Sequence, residues 1–107
     1  MYVMTKISYK SSRGMFTGKF DLRMEGHAGF NPGNDIVCAA LSSQFFSLAN
    51  YLDAIGASSS VEYDPVAGFG HISCRGGIRV RLAFEYCLYS FMMLADTYSD
   101  NICVVET

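Results

Sequence analysis

The stretch "KFDLRME", Lys19 to Glu25, alternates without a break. Phe20, Leu22 and Met24 fall on one side, and Lys19, Asp21, Arg23 and Glu25 on the other. A period of two marks a strand with one buried and one wetted face. Such a sheet needs a cover on its apolar face only, and the sequence supplies one nearby. Val37, Leu41, Phe45, Leu48 and Leu52 recur at helical spacing, Asn34 and Asp35 precede them as a helix start, and Gly56 ends the run. This change of period predicts a helix laid by one apolar stripe on a sheet.

The remaining chain extends the same plan. Val3 to Tyr9 mixes β-branched and aromatic residues and predicts a first strand, joined to the alternating one by a hairpin through "KSSRGMFTG". "SSSVEYD" and "FGHISC" predict a second pair, separated by a turn at Pro65 to Gly68 and bounded by Gly76 and Gly77. A second helix is expected over Arg81 to Tyr98, with the stripe Phe84, Cys87, Leu88, Phe91, Ala95 and Tyr98. "NICVVE" predicts a short closing strand. The order ββαββαβ gives an α+β fold, two helices against a mostly antiparallel sheet, and 107 residues fit one domain.

Charge narrows the function. Eight basic and ten acidic residues leave a net charge of −2, and no Lys/Arg cluster offers the stripe that a nucleic-acid ligand requires. Charged residues make up only 17% of the chain, against about 25% in an average domain, which points to apolar surface covered by self-association. The opening "MYVMTKISYK" lacks the apolar core of a signal peptide. The longest uncharged run, Ile36 to Leu52, carries too many polar residues for a membrane span. The four cysteines are widely spaced, without a C-x-x-C pair, as suits free thiols in a reducing cytoplasm.

The chemistry concentrates in "GHAGFNPGNDIVCAALS", Gly26 to Ser42. With Asp35 as N-cap, Cys38 is the third helical residue, where unpaired N–H groups and the helix dipole favour an anion. A thiolate is expected to form there more easily than elsewhere, which makes Cys38 a candidate nucleophile. His27 closes the alternating strand, and "AGFNPGN" is long enough to fold back and bring its imidazole to the sulfur. Asp35 has two competing tasks, capping the helix or orienting the His27 ring. Ser42, one turn after Cys38, either steadies the site or is a small residue in a tight contact. Gly29 and Gly33 flank Pro32 in a loop that is either a mobile lid or a tight connection.

The other cysteines read as structural. His71 and Cys74 are three apart on a strand and point to opposite faces, while Cys87 and Cys103 belong to apolar segments. A zinc site drawn from His27, Cys38, His71 and Cys74 lacks the close ligand pairs of structural sites, so neither metal nor cofactor is expected.

At Gly26-His27-Ala28, Asp35-Ile36-Val37-Cys38-Ala39-Ala40 and Ser42, and again at "MLADTYSDNICVV", the chain resembles the ribosomal-processing cysteine protease family, Prp. Its loop between His27 and Cys38 is one residue shorter than the common pattern. The resemblance implies a cysteine endopeptidase with Cys38 as nucleophile and His27 as base, supported by Asp35 and Ser42. A substrate loop would comprise Gly26, Ala28, Gly29, Gly33 and Asn34. It also implies a cytoplasmic homodimer that removes a short N-terminal extension from large-subunit ribosomal protein L-twenty-seven, cutting after aromatic residues. The resemblance extends to phage proteins associated with processing of capsid or scaffold proteins, so a phage or prophage homologue with that substrate is the alternative. Two rival readings stay open, a non-catalytic dimeric binding module and a zinc-binding module.

Overall fold

The alternating stretch is β2 (Gly18–Glu25) of a computed structural model that describes residues 4–14, 17–29 and 35–107. Phe20, Leu22 and Met24 are buried, as the alternation requires. β2 pairs on one side with β1 (Thr5–Arg13) and on the other with β4 (Phe69–Gly76), both antiparallel. β3 (Ser58–Asp64) adds to the far side of β4, and β5 (Ile102–Glu106) runs parallel to β1. The five-stranded order is therefore β3-β4-β2-β1-β5, mostly antiparallel, with the parallel pair at one edge.

Two helices, α1 (Ile36–Ala54) and α2 (Ile78–Thr97), pack together and against the sheet. The five expected positions of α1, Val37, Leu41, Phe45, Leu48 and Leu52, are all buried. The helix ends where Gly56 takes a φ of +68°, with Gly56 N–H bonding Asp53 O and Ala57 N–H bonding Leu52 O. That pair of bonds is a Schellman close, and its left-handed residue favours glycine. Phe20 and Phe84 meet at 5.1 Å between ring centroids, joining β2 to α2.

Three boundaries differ from the sequence expectation. β1 continues past Tyr9, because Lys10 to Arg13 keep the backbone ladder with Asp21 to Gly18 although their side chains give no apolar signal. α2 begins at Ile78 instead of Arg81: Gly77 O accepts the Arg81 N–H, and Val80 is buried where the expected stripe had no member. At its other end Ala95 and Tyr98 are only half-buried, packed on the rim of the core, with Tyr98 capping the helix. The expected start at Val3 and part of the hairpin, Met15 and Phe16, lie outside the described residues.

Candidate active site

β2 delivers the histidine and α1 the cysteine. After Glu25 the chain turns at Gly26, whose φ is +88° and where a Cβ would lie 2.6 Å from the Met4 carbonyl oxygen, so only glycine fits. Gly26 N–H donates to Gly68 O at 2.8 Å, and Gly26 O accepts from Thr5 Oγ1 at 3.1 Å. The residue before His27 is thus held by both its polar groups. Ala28, directly after, is fully buried, and its carbonyl accepts from Asn101 Nδ2 at 2.9 Å. Its N–H points at Cys38 Sγ, 3.4 Å away.

Cys38 stands in the first turn of α1, as the sequence predicts. Asp35 takes the capping role: its Oδ1 accepts from Val37 N–H at 2.9 Å and Cys38 N–H at 3.0 Å. Ser42 lies one turn further, with Oγ 3.4 Å from the Tyr63 hydroxyl of β3. His27 is exposed, and its Nε2 lies 3.3 Å from the Val66 carbonyl oxygen in the β3–β4 turn. Among the described residues no hydrogen bond joins His27 to Cys38, but both line one cleft of about 110 Å³. Of the expected substrate loop, Gly26, Ala28 and Gly29 are described, and Gly33 and Asn34 lie outside the described residues.

The expectation of an easily formed thiolate is reversed. Burial pushes the Cys38 thiol above its usual range; the Ala28 and Gly29 N–H groups act against this, while the Asp35 carboxylate adds to it. Burial is the first cause, and the cap adds to it. Asp35 occupies the N–H groups that would have faced the sulfur and sets a negative charge beside it. All four cysteines are free thiols, and burial pushes Cys74 up to about 11 and Cys87 up to about 12, with Asp21 contributing at Cys74.

A charge test follows. Asp35→Asn keeps a capping oxygen and removes the charge, so the Cys38 pKa falls and its alkylation midpoint moves to lower pH. At pH 7.5 iodoacetamide labelling of Cys38, measured by mass spectrometry against Cys103, is expected to rise about two- to fivefold. Asp35→Ala removes the cap as well and costs about 1 kcal/mol of stability. Unchanged relative labelling in the Asn variant would refute the charge effect.

Six residues of this cleft carried no sequence signal of function: Thr5, Met24, Leu41, Tyr63, Pro65 and Gly68. Tyr63 was legible only as a strand residue. Its position follows from the ring cluster it forms with Phe46 (4.6 Å) and Phe45 (5.6 Å) of α1. His71, by contrast, is on the open face of the sheet, bonded to Asp21 Oδ2 at 2.9 Å, while Cys74 is buried beneath, the opposite-face arrangement expected of them. A larger concavity, about 610 Å³ between α1 and α2 and lined by Tyr51, Leu82 and Tyr86, contains neither Cys38 nor His27.

A cysteine and a histidine in one cleft, with a backbone N–H aimed at the sulfur, is an arrangement fitted to acyl transfer. The cysteine protease Prp family model matches residues 4–103. The chain belongs to the Prp cysteine protease family. A solved structure of an essential ribosomal processing protease Prp from S. aureus, in complex with a covalently linked product peptide, is similar with a TM-score of 0.81 and 25% identity. The match covers 97% of this chain and 100% of that one. A further S. aureus Prp structure, with a substrate peptide, has a TM-score of 0.77 at 24% identity, covering 97% and 100%. SMU.848 from Streptococcus mutans has 0.75 at 24%, covering 97% and 94%; these last two likenesses speak for the fold. No curated protein sequence matches the chain. As a Prp-family member the chain is a cysteine protease, with the ββαββαβ order expected of it.

Proposed function

We propose that this protease is an endopeptidase with Cys38 as nucleophile and His27 as base, which trims a short N-terminal extension from ribosomal protein L-twenty-seven after an aromatic residue. The observation that carries the reading is the cleft: Cys38, His27 and the apolar side chains of Met24, Leu41, Tyr63 and Pro65 line one space of about 110 Å³. The cleft is smaller than the apolar cavity of about 150 Å³ that encloses a benzene ring, but it is open to solvent, and its apolar walls can hold part of one aromatic side chain.

In the reaction, His27 takes the Cys38 proton and the sulfur attacks the scissile carbonyl carbon. The tetrahedral intermediate then collapses with loss of the amine, which receives the proton from His27. Water, with His27 again as base, hydrolyses the thioester and releases the acid and the free thiol. Because Asp35 holds the Val37 and Cys38 N–H groups, the Ala28 N–H is the donor best placed for the oxyanion, with Gly29 beside it. Asp35 and Ser42 support the site through the cap and the Tyr63 contact.

Two further features belong to the proposal. A cytoplasmic location agrees with the four free thiols, and among the described residues no helix is long and apolar enough to cross a membrane. A homodimer would cover the outward stripe of α2, where Leu82, Tyr86, Tyr89 and Met93 recur at helical spacing and are each more than half exposed. Light scattering checks the dimer, and a monomer mass at micromolar concentration would exclude it.

Incubation with three peptides tests the substrate. These are the ribosomal junction, the same peptide with alanine before the scissile bond, and a capsid or scaffold junction. The aromatic ribosomal peptide is expected to be cut at least about tenfold faster than its alanine version, in line with the binding of one large apolar side chain. Equal rates for that pair would remove the aromatic preference. Cleavage of the capsid peptide alone would transfer the proposal to a phage structural substrate.

A further inference from the structure

The base in the proposed mechanism needs a third group to hold its ring, and Asp35, the sequence candidate, uses Oδ1 on the helix start. The ring's partner lies on another element. His27 Nε2 is 3.3 Å from the carbonyl oxygen of Val66, at the tip of the β3–β4 turn. A carbonyl oxygen only accepts, so in this contact Nε2 carries the hydrogen and Nδ1 is the basic nitrogen of the neutral ring. The turn is itself held from below. Asp64 Oδ1 accepts from Val66 N–H at 3.1 Å and Ala67 N–H at 3.2 Å, an Asx turn that fixes the peptide unit carrying the Val66 carbonyl.

The far side of the turn is pinned to the same place. Gly68 O accepts from Gly26 N–H, and Gly68 has a φ of +66° with its missing Cβ 3.0 Å from His27 Nε2. The turn therefore touches the histidine at its ring and at the residue before it, from both flanks of one short connection. Pro65 and Gly68 also line the cleft with Cys38. We propose that the β3–β4 turn, shaped by the Asp64 side chain, positions the His27 imidazole through the Val66 carbonyl oxygen, so that Asp64 is a positioning residue for the protease. This rests on His27 acting as the base.

Two measurements on the whole chain test it. The first needs no variant. Long-range ¹H–¹⁵N spectra in alkaline buffer, with the ring neutral, are expected to show His27 with its proton on Nε2; a proton on Nδ1 overturns the proposal. The second is peptide kinetics with melting curves on Asp64→Ala and Asp64→Asn. Asp64→Ala frees the turn and is expected to lower kcat roughly tenfold at nearly constant KM, within the loss that a small misplacement of a reacting group produces. The Nε2–H signature should broaden into a tautomer mixture. Asp64→Asn retains an acceptor oxygen and should restore both. Wild-type kcat in Asp64→Ala, or a change confined to KM, overturns the proposal. If His27→Ala still cuts at the wild-type rate while the tautomer result holds, it is the role of His27 as base that has failed.

Discussion

Cys38→Ala is expected to abolish peptide cleavage, with a loss of at least about a thousandfold in kcat, because no other group replaces a covalent nucleophile. The fold should survive the change. Cys38 is only half-buried at the start of α1, and the cap beneath it rests on the Asp35 side chain and the backbone. Losing one sulfur there should move the melting temperature by only a few degrees. Cys74→Ala and Cys87→Ala invert the pattern. Both side chains are buried in the core and neither lines the cleft, so stability falls and turnover per folded molecule does not. Peptide turnover and a melting curve on the three variants decide it. A Cys38→Ala protein that cuts at the wild-type rate would end the assignment of the nucleophile.

Phe45→Ala is expected to give the largest change in stability. Its ring is fully buried in α1, sits close over Gly70 of β4, where a Cβ would lie 2.8 Å from it, and stacks beside Tyr63 at 5.6 Å. Removing it leaves a cavity between helix and sheet and costs about 3 to 5 kcal/mol. For a domain of this size that lowers the melting temperature by more than about 10 °C. Activity should fall as well under conditions where the protein is still folded, because Tyr63 loses the neighbour that sets its position in the cleft. A melting curve and turnover at 15 °C measure the two effects separately. A loss below about 1 kcal/mol would mean that the interface of α1 with β4 closes over the gap.

The sequence made the two interlocking periods plain. Lys19 to Glu25 could be nothing but a strand with one wet face, and the α1 stripe from Val37 to Leu52 is buried position for position. Asp35 and Cys38 were legible for a local reason: a cap and the first helical turn are defined within four residues of each other. What the sequence hid is non-local. The direction in which Cys38 titrates depends on burial and on which N–H groups Asp35 consumes, and neither follows from position in a helix alone. The contribution of Val66 is a main-chain oxygen, which no side-chain pattern can advertise. Lys10 to Arg13 continue β1 by pairing alone, and the start of α2 at Ile78 was hidden because Ile78 and Arg79 are exposed and Val80 is the one buried residue of that first turn.

The parallel pairing of β5 with β1 fixes when the chain can become competent. Asn101, at the mouth of β5, bonds Thr5 N–H through its carbonyl and the Ala28 carbonyl through its side chain. The peptide unit beside Cys38 is therefore tied in place by a residue 73 positions further along the chain. A ribosome emitting this protein releases β2 and α1 early, yet the bond that steadies Ala28 cannot exist until the last strand has left the exit tunnel. Contacts of such long sequence separation form late, after shorter loops have closed. On that ordering the chain carries Cys38 and His27 long before the bond that ties the Ala28 peptide unit beside them can form.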